Sequence, residues 1–544
     1  MRSLKAIKSL QKQDAARLVL LAGFLTGIAW FIYYYSNGLT TTHYDAKAHL
    51  LVARRMVDSI TPGYSQLGAN WLPLIHLVYL PLVVFESQYR SGLLPSLISI
   101  CAFALSGYLA YRISFRVTGS VAAGVFAGIV LLGNANLQYL QSCPLTEPMF
   151  MALFLLAADS LLSWRDSGCA ALPWRAAIWT SLGALCRYEG WYFFGGVMLL
   201  LVFDFWKGYA PKSCLVKGGA VFIAVFGAPA IAHFGYIFFR LGDTFFGRLA
   251  QGYHTPYITY KRPFLSLWYH LGELSQVATT LPLIMAAAGL VLLFSRRKQF
   301  LRRIPLFLLW LPSLINISAL YWGLIYRVRY SVLLIPAVAI FGSLVIESES
   351  ARKRLSLLLA LATIAFPWLA WCQSMIRPGS APIAGPGALV LPVAALILFL
   401  LARVRSWYSA GLTILCVLGM QVPLLSREDR PMMVETMEHE FIEPERKEVL
   451  QFLRRHYDGK RILIDMGTEA PLVYDSGFDV KEYVYNEGGE SLWHSAAQSP
   501  DPVVGWICTQ DADSISQHMN EDPNWARNYS VVLKTEHYRL YRLR

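Results

Sequence analysis

The sequence predicts an all-α polytopic membrane domain followed by a small α/β domain, and three observations carry that prediction. Of its 544 residues, 55% are hydrophobic and 15% charged, and apolar stretches close to the roughly 20 residues needed to cross a bilayer recur along most of the chain. Aromatic residues make up 14%, with Trp and Tyr gathered at the ends of apolar runs, where an amphipathic ring suits the headgroup zone. From about Arg427 onward the composition turns charged and polar, and the apolar runs shorten to strand length.

The first apolar run, residues 17–35, follows Arg2, Lys5, Lys8, Lys12 and Arg17. It is long and has no small-residue cleavage site, which predicts a retained signal-anchor span. Further spans are predicted at about 92–111, 119–135, 146–163, 174–186, 190–206, 218–239, 276–295, 304–321, 328–346, 355–373, 386–402 and 408–425, giving about thirteen in all. With the N-terminus cytoplasmic, every second loop is inside. Those loops carry Arg112 and Arg116, Arg165 and Arg175, Lys207, Lys212 and Lys217, the cluster Arg296 to Arg303, Arg352 to Arg354, and Arg403 with Arg405. The positive-inside rule is satisfied throughout. It also accounts for the net charge of +13, so nucleic acid is not an expected partner. The eight cysteines show no paired ligand spacing, and Cys101, Cys186 and Cys416 lie inside apolar runs, so neither a disulfide framework nor a zinc site is expected.

The first outer loop carries two candidate interfacial helices. LPLIHLVYLPLVVF, residues 72–85, is too short to span and holds two prolines. Residues 45–60 place Ala46, Leu50, Ala53, Val57 and Ile60 at helical spacing opposite Lys47, Arg54, Arg55 and Asp58. Domain boundaries are therefore expected at 1–426 for the membrane domain and 427–544 for a C-terminal soluble α/β domain, which an odd number of spans puts on the extracytoplasmic side. Within the latter, EPERKEVLQFLRRHY reads as a helix and RILIDM, VVGWICT and SVVLKT read as strands, followed by a final HYRLYRL.

Ionisable groups in the outer loops sit at the membrane boundary and are the candidates for chemistry. Asp45, just after the first span, is placed to take a proton from an attacking hydroxyl or amine. The competing structural role is a capping box, with Thr42 as N-cap and Asp45 at the third helical position. His49 lies one turn further on and is a candidate for substrate or a shared metal, although a surface histidine is the simpler reading. Arg90 opens the second span, and Arg187 and Glu189 sit where two short spans meet. Either arginine can grip a phosphate or snorkel to headgroups. YWGLIYRVRY brings Arg327, Arg329 and Tyr330 to an outer helix start, where paired arginines run against the positive-inside rule and a bound anion explains them. Glu147 opens the fourth span as a helix N-terminal charge or a ligand. Tyr253 and His254 belong to a longer outer loop, 240–275, of the kind that serves as a lid or an interfacial anchor.

Taken in order, these residues resemble the GT-C superfamily of polyprenyl-phosphate-sugar-dependent glycosyltransferases, in particular the branch with protein O-mannosyltransferases and lipid A aminoarabinose transferases. The resemblance covers about residues 15–350. Asp45 and the segment Trp71 to Pro81 occupy the places of the family's first-loop acid and its proline-containing interfacial stretch. Arg90 before LLPSL, the TEP at Thr146 to Pro148, RYEGW from Arg187 to Trp191, and RVRYSVLLIP from Arg327 to Pro336 match further family motifs. Two departures stand out. Asp45 is followed by Ala46 where many protein mannosyltransferases carry an Asp-Glu pair, and no outer loop is long enough for their β-trefoil domain.

The resemblance implies a GT-C membrane domain with about 13 helices, and an inverting glycosyltransferase that moves a hexosyl or pentosyl unit from a polyprenyl-phosphate donor to a lipid, glycan or protein acceptor. Asp45 would be the catalytic base, and Arg90, Arg187, Arg327 and Arg329 would hold the donor phosphate. His49, Glu147, Glu189, Tyr253, His254 and Tyr330 would meet the acceptor or a metal, with dependence on a divalent metal left open. It further implies a bacterial inner membrane location and contact with membrane lipids. A lipid-linked saccharide flippase and an O-antigen-ligase-like transferase are the alternatives. The first should place ionisable groups near span centres, and the second should concentrate them in one large later loop.

Overall fold

The computed structural model describes residues 2–242, 258–295, 297–324, 326–346, 414, 417–419, 421, 432, 436, 443–487 and 491–544. Six described helices are long and apolar enough to cross a membrane: Gln13–Ser36, Leu93–Thr118, Thr146–Asp166, Glu189–Lys207, Lys212–Leu241 and Val328–Ile346. Two bent pairs, Pro263–Ala278 with Thr280–Phe294 at 116° and Phe300–Trp310 with Pro312–Trp322 at 41°, bring the number to eight if each is one span. Two predicted spans are short. Val121–Leu132 has 12 residues and Trp174–Cys186 has 13, against a hydrocarbon core that takes about 20. The first stops because Asn134 caps the next helix, Ala135–Leu140, and ties its amide to the carbonyl of Val277. The predicted runs 355–373 and 386–402 and most of 408–425 lie outside the described residues.

Helices in lipid gain little from burying apolar surface against one another, so close contact depends on small residues. A Cβ at Gly289 would lie 1.8 Å from the carbonyl oxygen of Phe341. Helices Thr280–Ser295 and Ile335–Ile346 therefore meet backbone to backbone. Away from the C-terminal unit, charged side chains near the helix ends pair. Arg116 Nε reaches Asp159 at 3.2 Å, Arg302 Nε reaches Asp166 at 2.6 Å, and Arg165 meets Asp204 through two contacts of 2.8 and 2.6 Å.

The C-terminal unit is a five-stranded sheet in the order β2-β1-β3-β5-β4. The strands are β1 (Ile462–Ile464), β2 (Tyr483–Tyr485), β3 (Trp506–Gln510), β4 (Tyr529–Lys534) and β5 (Tyr538–Leu543). β1 runs parallel to β2 and β3, and β5 pairs antiparallel with β3 and β4. Alternation along the strands sends side chains to opposite faces. Leu463, Val484 and Ile507 pack with Ala496, Ile515 and Trp525 on one face, while Ile462, Ile464, Tyr483, Tyr485 and Trp506 pack on the other with Leu50, Leu51, Ile75 and Tyr79 of the first loop.

That second face changes the reading of the first loop. The helix Tyr44–Arg55 buries Ala46, Ala48, Leu50, Leu51, Val52 and Ala53, and also Arg55, so it is not an amphipathic surface helix. It is clamped between the bundle and the C-terminal unit. Its charged side chains serve that clamp: Lys47 Nζ meets Asp475 at 2.5 Å, and Arg55 Nη2 meets Glu487 at 2.6 Å. The second candidate, Pro73–Val83, packs into the same cluster.

Candidate active site

Asp45 sits in the first turn of helix Tyr44–Arg55, and the predicted capping box does not form. The N-cap is His43, whose Nδ1 accepts from the Asp45 amide at 3.0 Å, while Thr42 Oγ1 donates to the carbonyl of Gly38. A histidine cap satisfies the orphan amide and leaves the Asp45 carboxylate for another use. That use is a hydrogen-bonded ion pair with Arg329 Nη2. Arg329 Nε lies 3.5 Å from Glu147 Oε1, which Arg187 Nη1 also reaches at 2.8 Å. Arg187 closes the series on Glu189 through contacts of 3.1 and 2.8 Å and donates to Thr146 Oγ1 at 2.7 Å. The ring of Tyr330 lies 5.1 Å from Arg187 and 5.5 Å from Arg329.

Carboxylate and guanidinium thus alternate from Asp45 through Arg329, Glu147 and Arg187 to Glu189, with one negative charge in excess. The helices Thr146–Asp166 and Glu189–Lys207 present Glu147 and Glu189 in their first turns, where the positive end of the helix dipole favours them. Arg329 enters on the 3₁₀ turn Val328–Leu334 that starts the last described span. Burial alone would raise the Asp45 carboxyl, but Arg329, helped by His43 and His49, outweighs it and holds the group well below the usual carboxylate range. Paired this way, Asp45 is charged but poorly basic. Releasing Arg329 would restore its basicity.

His49 is not a surface residue, being only 3% exposed. Its Nδ1 lies 3.1 Å from His76 Nε2, and His76 Nδ1 lies 2.9 Å from the carbonyl of Leu72. The carbonyl can only accept, so His76 carries its proton on Nδ1 and accepts at Nε2. His49 must therefore donate from Nδ1, which leaves the lone pair of its Nε2 on the side away from His76. Burial pushes His49 down to about 4, which keeps both rings neutral near pH 7.

A cavity of about 690 Å³ opens on this network. Asp45, Trp71, Arg327, Arg329 and Tyr330 line it from the membrane side, and Asp465, Thr468, Asn486 and Gln510 from the C-terminal unit. Arg187, Glu147 and Glu189 lie behind the wall and act on it through Arg329. Arg90 is elsewhere: it pairs with Glu86 at 2.7 Å and donates to the carbonyls of Tyr474 and Phe478. Its role in the structure is to dock the C-terminal unit. Tyr253 and His254 lie outside the described residues. Asp45 and His49 belong to no three-ligand group among the described residues. The one such group there, Glu445, Glu536 and His537, lies in the C-terminal unit.

Sequence reasoning missed the C-terminal wall. Its signal was a strand-like run followed by Asp465, Met466 and Gly467, ILIDMG, which marks a strand-to-helix turn at a sheet's carboxyl edge.

No family model matches the chain, and no curated protein sequence matches it. Solved structures do. The crystal structure of ArnT from Cupriavidus metallidurans bound to undecaprenyl phosphate superimposes with a TM-score of 0.54 at 13% identity, over 97% of this chain and 97% of that one. The apo state of the same protein gives 0.51 at 12% identity, over 94% and 98%. The chain therefore shares the fold of that protein, here a many-helix bundle carrying a small C-terminal sheet domain.

Proposed function

We propose that the chain is an inverting glycosyltransferase that takes a sugar from a polyprenyl-phosphate donor. The observation that carries this reading is the contact between Asp45 and Arg329 on the wall of the cavity. It sets a carboxylate able to accept a proton beside a guanidinium able to take a phosphate. Binding of undecaprenyl phosphate by a protein of the same fold supports the donor class.

In this reading the donor phosphate draws Arg329 from Asp45, with Arg327 as a second cavity cation. The freed Asp45 accepts the proton of an acceptor hydroxyl or amine as the oxygen or nitrogen forms its bond to the anomeric carbon. The anomeric C–O bond breaks on the opposite face, inverting the centre, and the carrier departs as a phosphate monoester. A phosphodiester becoming a monoester gains negative charge, so cations held in place beforehand stabilise the transition state more than the ground state. Glu147 and Glu189 hold Arg187 and Arg329 at their posts. The boundaries 1–426 and 427–544, a cytoplasmic N-terminus, an extracytoplasmic C-terminal domain and a bacterial inner membrane belong to the same proposal.

The test is turnover in proteoliposomes supplied with undecaprenyl-phosphate-linked pentose and hexose donors together with lipid, glycan and peptide acceptors. Release of undecaprenyl phosphate with inversion at the transferred sugar is expected. Movement of intact donor across the bilayer without its consumption would instead identify a flippase.

A further inference from the structure

The parallel strands β1, β2 and β3 all point their carboxyl ends the same way, and those ends meet the cavity that Asp45 faces. From β1 the chain moves to β2 on one side and then to β3 on the other, so β1 and β3 flank a topological switch point. In open α/β sheets, ligands bind in the crevice outside such a point. Asp465 directly follows β1, Asn486 directly follows β2, and Gln510 ends β3.

Asp465 itself is fully committed. Its Oδ1 accepts from the Gly467 amide and Asn486 Nδ2, each at 2.9 Å, and its Oδ2 accepts from the amide and hydroxyl of Ser514 at 3.0 and 2.5 Å. It ties the loops after all three strands into one rigid edge, and its carboxylate already occupies the start of helix Met466–Ser476, where an anion would otherwise sit. Glu487 is likewise taken by Arg55. Asn486 is held the same way, its Nδ2 spent on Asp465 and Ser514, so the wall offers the carboxamide of Gln510, with Asn70 and the indole of Trp71 on the opposing side. A carboxamide both donates and accepts, as a sugar hydroxyl does, and an indole face suits the C–H face of a pyranose ring.

We infer that the carboxyl edge of the C-terminal sheet is the acceptor-holding wall of the cavity and that it binds a neutral saccharide unit, with Gln510 reading hydroxyls and Trp71 stacking on the ring. This rests on the transferase reading for its use, but its binding test does not depend on turnover. Asp465 is a positioning residue here.

The experiment is saturation-transfer difference NMR on the full chain in lipid nanodiscs, with methyl glycosides of neutral hexoses and of amino hexoses as probes. Ring protons should receive saturation from the wild type, also with undecaprenyl phosphate present in excess. Losing one or two hydrogen bonds should lower that signal about five-fold or more in Gln510→Ala. Trp71→Ala should lower it comparably and Trp71→Phe less, with undecaprenyl phosphate binding serving as the check on folding. Absence of signal from every probe, a signal unchanged in both alanine variants, or its abolition by undecaprenyl phosphate alone would overturn the inference. Saccharide binding with no donor turnover would sink the transferase reading and leave this one standing.

Discussion

Among the described residues the bundle holds a set of buried ion pairs at each end, and the two differ in what surrounds them. At the end away from the C-terminal unit, Arg165 and Asp204 are each 1% exposed. The remaining donor capacity of that arginine is spent on the carbonyls of Leu301 and Arg302, and Tyr209 lies 4.0 Å below its plane. At the other end, Arg329 and Asp45 share a wall of a large cavity, and the Asp45 side chain keeps 21% of its exposure. Pairing and burial alone therefore do not mark a functional site. A closed pair completes the fold, whereas a pair bordering a cavity can change partners.

Substitutions can break or sharpen that contrast. Removing a preorganised donor to a developing anion typically costs about 10²–10³ in rate. Arg329→Gln should lose transfer by that factor while folded yield stays near wild type, as measured by turnover per folded molecule in proteoliposomes. Asp204→Asn should do the reverse. Stranding Arg165 as an uncompensated buried charge costs about 3–5 kcal/mol, so detergent-extracted protein should unfold at a lower temperature while its surviving molecules turn over normally. Replacing both partners, Arg165→Met with Asp204→Leu, should recover most of the loss. If the double variant stayed as unstable as the single one, the pair would have a role beyond closing the bundle.

A smaller effect is expected in the C-terminal unit. Burial raises the Glu469 carboxyl to about 8, with Arg446 and the Tyr538 hydroxyl only partly offsetting it. The folded state therefore keeps a proton that the unfolded state gives up above about 4.5, so this group costs stability progressively between those values. Glu469→Gln should raise the thermal midpoint at pH 8 and change it little at pH 5. Equal effects at both values would show that Glu469 is already charged in the folded protein.

The residues that meet on one network were singled out in the sequence by their place on the predicted outer face. Arg327 and Arg329 fell on the predicted outer side, where the positive-inside rule disfavours them, and Glu147 and Glu189 opened predicted helices on the same face. Their convergence with Asp45 on one network follows from that common sidedness. Arg90 does not join that network: it donates to the carbonyls of Tyr474 and Phe478, far along the chain, and a carbonyl leaves no trace in sequence. His49 looked solvent-exposed because its burying partner, His76, lies in an apolar stretch whose packing only the fold reveals. β2 was missed because three residues, Tyr483–Tyr485, buried on both faces show no alternation. The helix Tyr44–Arg55 had the periodicity of a membrane-surface helix, yet its second surface is the sheet of the C-terminal unit. Periodicity reports that a face is covered, not by what.

The exchange of Arg329 from Asp45 to a donor phosphate is tested most directly in Asp45→Asn, with transfer and undecaprenyl phosphate binding measured on the same preparation. A general base contributes about 10²–10⁴ in rate, so transfer should fall by that factor. Binding of undecaprenyl phosphate should hold or tighten, because Arg329 no longer has the Asp45 carboxylate to leave. Transfer near the wild-type rate in a folded Asp45→Asn protein would contradict the assignment of Asp45 as the base.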